Sequence, residues 1–224
     1  MYQHFGKRLL DLAIALPALL ALSPVFAILA ILVRLRLGSP VLFAQQRPGL
    51  HGQPFVMWKF RTMTDARDEH GNLLPDKERM TRLGNFLRKT SLDELPELLN
   101  VFKGDMSLIG PRPLAMIYLT YYTVEEMRRH DVKPGITGWA QVNGRNSLTW
   151  EEKFAYDLDY VNRQSFFLDV KILARTVGYI LKRSDIGERG VGAVIDFHEY
   201  RKKQRETNQP STQPELSTEH PPPV

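Results

Sequence analysis

The sequence contains no cysteine, which excludes disulfides, thiolate catalysis and cysteine-ligated metals. Its six histidines fall in no H-E-x-x-H or related spacing, so the metal compatible with this chain is a hard cation held by carboxylate oxygen. No internal repeat is apparent. The net charge of +5 suits an anionic membrane surface, a phosphate-rich substrate or nucleic acid. No nucleic-acid-binding module accompanies it, which leaves nucleic acid the weakest of the three.

Charge is also missing from one long stretch, Leu12 to Val33. As a helix this run measures roughly 33 Å at about 1.5 Å per residue, against a hydrocarbon core of about 30 Å. Pro17 and the Ser23-Pro24 pair interrupt it, and each proline removes a backbone hydrogen bond. Lys7 and Arg8 precede it and Arg34 and Arg36 follow it, so the positive-inside rule gives no direction of crossing. A re-entrant helix that breaks at Ser23-Pro24 and returns to the face it came from accounts for both features. A kinked full span and a buried core helix are the alternatives; the run is apolar on every face, which disfavours the second.

The remainder reads as α+β and mainly helical. Residues 1–37 form the membrane element with basic flanks, 38–192 a small catalytic domain, and 193–224 a tail expected to be disordered from about residue 206. Strand-like runs at Pro40 to Gln45 and Pro54 to Phe60 are separated by the turn signals Arg47-Pro48-Gly49 and His51-Gly52. Asp65 to Ser184 is helical in pattern, broken at Gly110-Pro111 and at Lys133-Pro134-Gly135. Leu95, Leu98, Leu99 and Phe102 make a helical apolar face read as core. The denser cluster from Phe166 to Leu173 fits either core or a helix lying in a membrane interface.

Chemistry concentrates in SLDELPELLNVFKGDMSLIGPRP, Ser91 to Pro113. The adjacent carboxylates Asp93 and Glu94 can attack or bind a metal, and Arg112, held between two prolines, offers a planar fork suited to phosphate. That combination suits chemistry at phosphorus. The same Ser91-x-x-Glu94 spacing is also that of a capping box, and Pro96 fits the first position of a helix. Gly135, Gly138 and Gly144 bracket Trp139 and Gln141 in a loop able to approach a nucleotide, although glycines in turns need no ligand to explain them.

KRLLDL, an apolar run with SP, QQRPGL, WKFRTM, the Ser91 to Pro113 segment and VKPGITGWAQVNGRN occur in this order. Together they resemble the monotopic phosphoglycosyl transferases, the bacterial sugar transferases, over roughly Lys7 to Ser184, and the short chain is similar to the small members that transfer N,N'-diacetylbacillosamine 1-phosphate to undecaprenyl phosphate. The resemblance implies a monotopic protein at the cytoplasmic face of a bacterial inner membrane. It implies transfer of a sugar phosphate from a UDP-sugar to undecaprenyl phosphate, with Asp93 as nucleophile and Asp93 and Glu94 holding Mg²⁺. Arg112 becomes a phosphate contact, Arg88 a candidate for the lipid phosphate with a surface arginine as the alternative, and Lys59 and Arg145 candidate anion contacts, each with a salt-bridging alternative. Asp157 becomes a candidate partner of one of these cations or of the metal, or a helix-face aspartate. Two other readings stay open: a Mg²⁺-dependent membrane phosphohydrolase, and a scaffold in which Asp93-Glu94 is only a cap. The sugar and the oligomeric state are not legible.

Overall fold

The computed structural model describes residues 2–144, 147–182 and 196–208. In chain order the elements are α1 (Lys7–Leu37), β1 (Leu42–Pro48), β2 (Pro54–Phe60), α2 (Asp76–Arg79), α3 (Arg82–Thr90), α4 (Glu97–Lys103), β3 (Ser107–Ile109), α5 (Val124–Met127), β4 (Gly135–Thr137), α6 (Trp150–Arg163), α7 (Phe166–Lys182) and α8 (Phe197–Asn208). The chain divides into two compact units after Val194. Of the second, α8 is described: Arg201 lies 5.2 Å over the Phe197 ring within it. Helix α8 runs to Asn208, and the rest of the tail expected to be disordered from about residue 206 lies outside the described residues.

Helix α1 runs through both prolines as a single element, so the expected break at Ser23-Pro24 is not an interruption of the helix. The reason is local. Pro24 has no N–H for the Leu20 carbonyl four residues back, and the Ser23 hydroxyl donates to that carbonyl at 2.8 Å instead. One stripe of α1 packs on the domain along its whole length: Asp11, Ala15, Leu19, Leu22, Phe26, Leu29 and Val33 recur at three- and four-residue steps. The opposite stripe, with Leu16, Leu20, Ile28, Ile31 and Leu35, is exposed.

Both ends of α1 are fastened to the same body. At the start, Arg8 donates to the Val101 and Phe102 carbonyls at 2.5 and 2.7 Å, satisfying the C-terminal end of α4. Asp11 accepts from the Ser107 hydroxyl and the Leu108 N–H at 2.9 and 3.0 Å, and Lys7 pairs with Asp169 at 2.9 Å. At the far end, Leu29 and Val33 pack with Phe60 and Leu87.

Strands β1 and β2 form an antiparallel hairpin in the register Leu42↔Phe60 to Pro48↔Pro54. Its turn passes through His51 and Gly52 at φ 54° and 73°, the left-handed region that the His-Gly signal anticipates. The second pair, β3 and β4, is parallel, with Ser107 opposite Gly135 and Ile109 opposite Thr137. It falls inside a stretch whose pattern reads as helical. The fold needs glycine here: a Cβ on Gly135 would stand 2.1 Å from the Gly110 nitrogen, and one on Gly110 2.3 Å from the Lys133 carbonyl oxygen. Backbone packing, not a nucleotide, accounts for the glycine at 135.

The face of three leucines and a phenylalanine expected in the core divides. Leu98 is buried, but Leu99 and Phe102 are exposed. In α7 likewise, Leu168 and Ile172 are buried while Phe166, Phe167 and Val170 are exposed.

Candidate active site

Lys59 lies on β2, on the same face of the strand as the buried Met57. Asn100, fully buried on α4, fixes that strand to the helix: its amide donates to the Val56 carbonyl at 2.7 Å and its oxygen accepts from the Trp58 N–H at 3.1 Å. The acidic residues therefore meet Lys59 in a set geometry. Asp93 and Glu94 sit in a single 3-10 turn, Leu92–Glu94, between α3 and α4.

The capping-box reading does not hold. Ser91 closes α3 at φ 58° and makes no side-chain cap bond. The Glu94 carboxylate is used otherwise: its Oε1 accepts from Lys59 at 2.8 Å and from Arg112 at 2.5 Å. Pro96 immediately precedes α4, one position earlier than expected. Asp93 and Glu94 are 5% and 7% exposed, so two carboxylates are held out of water, an arrangement that is costly unless compensated.

Two further residues belong here that the sequence reading missed. Glu97, three positions after Glu94, pairs with Lys59 at 3.1 Å. Burial pushes its carboxyl up, Glu94 pushes it further, and Lys59 and Arg112 oppose. Arg47, at the end of β1, is braced by Gln45 through two bonds of 3.1 and 2.7 Å. Burial first and then the neighbouring Arg112 charge lower its pKa. The signals were present, as an i, i+3 carboxylate and an arginine before a Pro-Gly turn.

Arg112 is raised, chiefly by Glu94, with burial opposing. Its side chain remains 36% exposed, so the guanidinium is reachable from solvent. Arg88 is half-buried near the end of α3 and its Nε donates to the Thr62 hydroxyl at 3.1 Å. Arg145 lies outside the described residues. Asp157 does not face the acidic cluster directly: it is buried on α6 and accepts from Arg129 Nε and Nη2 at 3.0 and 2.7 Å. It reaches Arg112 only through that guanidinium, which donates to the Arg112 carbonyl at 2.8 Å.

His130 adjoins this pair. Its Nδ1 lies 3.1 Å from the Met127 carbonyl, which can only accept, so the neutral ring carries its proton there. Burial, and then the Arg129 charge, lower its pKa to about 4. A depressed histidine contributes stability that is present above the unfolded value near 6.5 and is lost as pH falls through about 4. Denaturant midpoints measured from pH 7 to pH 4 should therefore fall, and His130→Gln should flatten that slope. An unchanged slope in the variant would remove His130 from the acid response.

Among the described residues, no group of three or more histidines or carboxylates converges as a metal cage. Mg²⁺ rarely asks for one: it is held through one or two carboxylates, with substrate phosphate and water completing the shell. Asp93 and Glu94, adjacent oxygen donors in one turn, fit that mode, with Glu94 sharing its carboxylate with Lys59 and Arg112.

The chain matches the bacterial sugar transferase family over residues 2–183. It is 59% identical over 175 residues to "Uncharacterized sugar transferase EpsL" of Bacillus subtilis, covering 78% of this chain and 87% of that relative. It is 44% identical over 192 residues to the UDP-glucose:undecaprenyl-phosphate glucose-1-phosphate transferase of Xanthomonas campestris. The protein of the same name in Escherichia coli is 42% identical over 188 residues. These two alignments cover 80% and 79% of this chain but only 40% of each relative.

Proposed function

The chain belongs to the bacterial sugar transferase family, and we propose that it moves a hexose 1-phosphate from a UDP-hexose to undecaprenyl phosphate, releasing UMP. The observation that carries this reading is the Asp93-Glu94 turn, withdrawn from water and bounded by Lys59 and Arg112. That is a nucleophile beside cationic groups able to receive a diphosphate. The two named glucose-1-phosphate transferases support the donor and acceptor classes. Their names favour glucose over the N-acetylated sugar that the resemblance implies.

In the proposed reaction an Asp93 carboxylate oxygen forms a bond to the phosphorus next to the sugar, and the bond from that phosphorus to the UMP oxygen breaks. Arg112 and Lys59 accept the charge that develops on the phosphate oxygens, and Arg47 stands beside Arg112 for the same field. A lipid phosphate oxygen then attacks the same phosphorus, and the aspartyl bond breaks to restore the carboxylate. Mg²⁺, held by Asp93 and Glu94 with phosphate oxygens, would supply charge neutralisation of the diphosphate. Arg88 is assigned to the lipid phosphate: it is half-buried near the end of α3, five residues before Asp93.

The experiment is to supply detergent-purified protein with a panel of UDP-hexoses and undecaprenyl phosphate while following UMP and the lipid diphosphate sugar. Lipid-dependent UMP release is expected. A phosphohydrolase would instead release phosphate without lipid, and that outcome would overturn the transfer reading.

The membrane part of the proposal is that α1 does not cross the bilayer, both its ends lying on the cytoplasmic face of the inner membrane, from which the enzyme acts. Its support is geometric. Residues at both ends of α1 hold the same globular body, which cannot stand on both sides of a bilayer about 30 Å thick, and the unpacked stripe is apolar. A cysteine introduced near Tyr2 should stay unlabelled by an impermeant reagent in intact spheroplasts. Labelling there would establish a full span and sink the one-sided reading.

A further inference from the structure

We propose that the buried Arg129–Asp157 pair is the positioning device for Arg112, fixing the Pro-Arg-Pro turn from beneath; the inference rests on the reading of Arg112 as a phosphate contact. The turn has an unusual deficit. Pro111 and Pro113 carry no N–H, so a segment of three residues keeps one backbone donor and must be held through its carbonyls. Two of its three carbonyls are held. The Pro111 oxygen accepts from the Gly135 N–H at 3.0 Å, and the Arg112 oxygen accepts from Arg129 Nη2 at 2.8 Å.

Arg129 is in turn locked. Its Nε and Nη2 both reach Asp157 Oδ2, Nη1 reaches the Tyr122 hydroxyl at 3.4 Å, and the guanidinium lies 5.7 Å from the Tyr122 and Phe154 rings. Arg129 and Asp157 are each 3% exposed. A pair this deep gains little stability over two apolar side chains of the same size, because desolvation offsets the attraction. What apolar side chains cannot do is donate to the Arg112 carbonyl. The fork does so while Asp157 balances its charge, so the Arg112 backbone is set and its own guanidinium meets Glu94 at 2.5 Å with little freedom to lose on binding a diphosphate.

A double-mutant cycle separates this from a merely structural role. The apolar replacement Arg129→Met with Asp157→Leu should melt near the wild type yet raise KM for the UDP-sugar about tenfold, with a smaller change in kcat. In that background Arg112→Ala should cost much less than it does in the wild type, because the side chain is already misplaced. Should the double variant not fold, Asp157→Asn, which keeps volume and an acceptor, is read in the same cycle. Equal losses from Arg112→Ala in both backgrounds, or wild-type kinetics in the apolar variant, would overturn the positioning role alone. If Arg112→Ala is silent in the wild type, the phosphate reading of Arg112 falls and the positioning role with it.

Discussion

Asp93→Asn is expected to lower UMP release by about three orders of magnitude or more while the protein stays folded. The amide nearly preserves the volume of the carboxylate but has neither its charge nor its nucleophilicity, and loss of a nucleophile leaves only the rate owed to binding and electrostatics. The fold should tolerate the change. Asp93 adds to the field that raises Arg112, but Lys59 and Arg112 both keep Glu94 as an ion-pair partner, so deleting one negative charge orphans neither cation. Steady-state assays with thermal melting of the same preparation check both halves. Nearly full turnover in a well-folded Asp93→Asn protein would show that another group attacks phosphorus.

Lys59→Met should have the opposite division of effects, costing stability and activity together. Lys59 is the cation shared by Glu94 and Glu97, whose side chains are 7% and 2% exposed. Removing one member of a buried charge cluster leaves its partners uncompensated, at a cost of about 3–5 kcal/mol. Glu97 takes most of the consequence, since burial and Glu94 already push its carboxyl up. With Lys59 gone, its protonated form is favoured further. Adding Glu97→Gln to Lys59→Met should then recover much of the stability, because a neutral amide replaces the stranded carboxylate. It should recover none of the activity, because the cation facing the phosphate is still missing. Denaturant unfolding alongside the UMP assay separates the two. A stable, active Lys59→Met protein would reduce Lys59 to a surface charge.

The hairpin was legible because its chemistry is local: strand-like runs on either side of Arg47-Pro48-Gly49 and His51-Gly52 leave few other solutions, and the observed pairing joins Leu42 to Phe60. The parallel pair β3 and β4 was not legible. Its three-residue strands are too short for periodicity, and they are brought together by the close approach of Gly110 and Gly135, a contact between residues far apart in the chain. At the site, Asp93, Glu94 and Arg112 stand out in one segment. Lys59 is named only through the family resemblance and Glu97 not at all, because their meeting depends on Asn100 clamping β2 to α4. Asp157 was singled out as an orienter of a cation, but the cation is Arg129, whose bond to a backbone carbonyl has no sequence signature.

The membrane helix shows the same limit. Ser23-Pro24 marks where a hydrogen bond must be replaced, and the serine hydroxyl does replace it. Whether the helix is interrupted there is decided by that bond and by the stripe from Asp11 to Val33 lying on the domain. Composition alone does not contain that contact.

Covalent attack by Asp93 is tested most directly by the intact mass of the wild-type protein after brief exposure to a UDP-hexose panel and Mg²⁺ without lipid acceptor. The account predicts a single added hexose phosphate mapping to Asp93, released UMP in equal amount, and loss of the adduct when undecaprenyl phosphate is supplied. No adduct and no UMP until lipid is present, from a preparation that turns over normally with both substrates, would contradict it and establish direct transfer within a ternary complex.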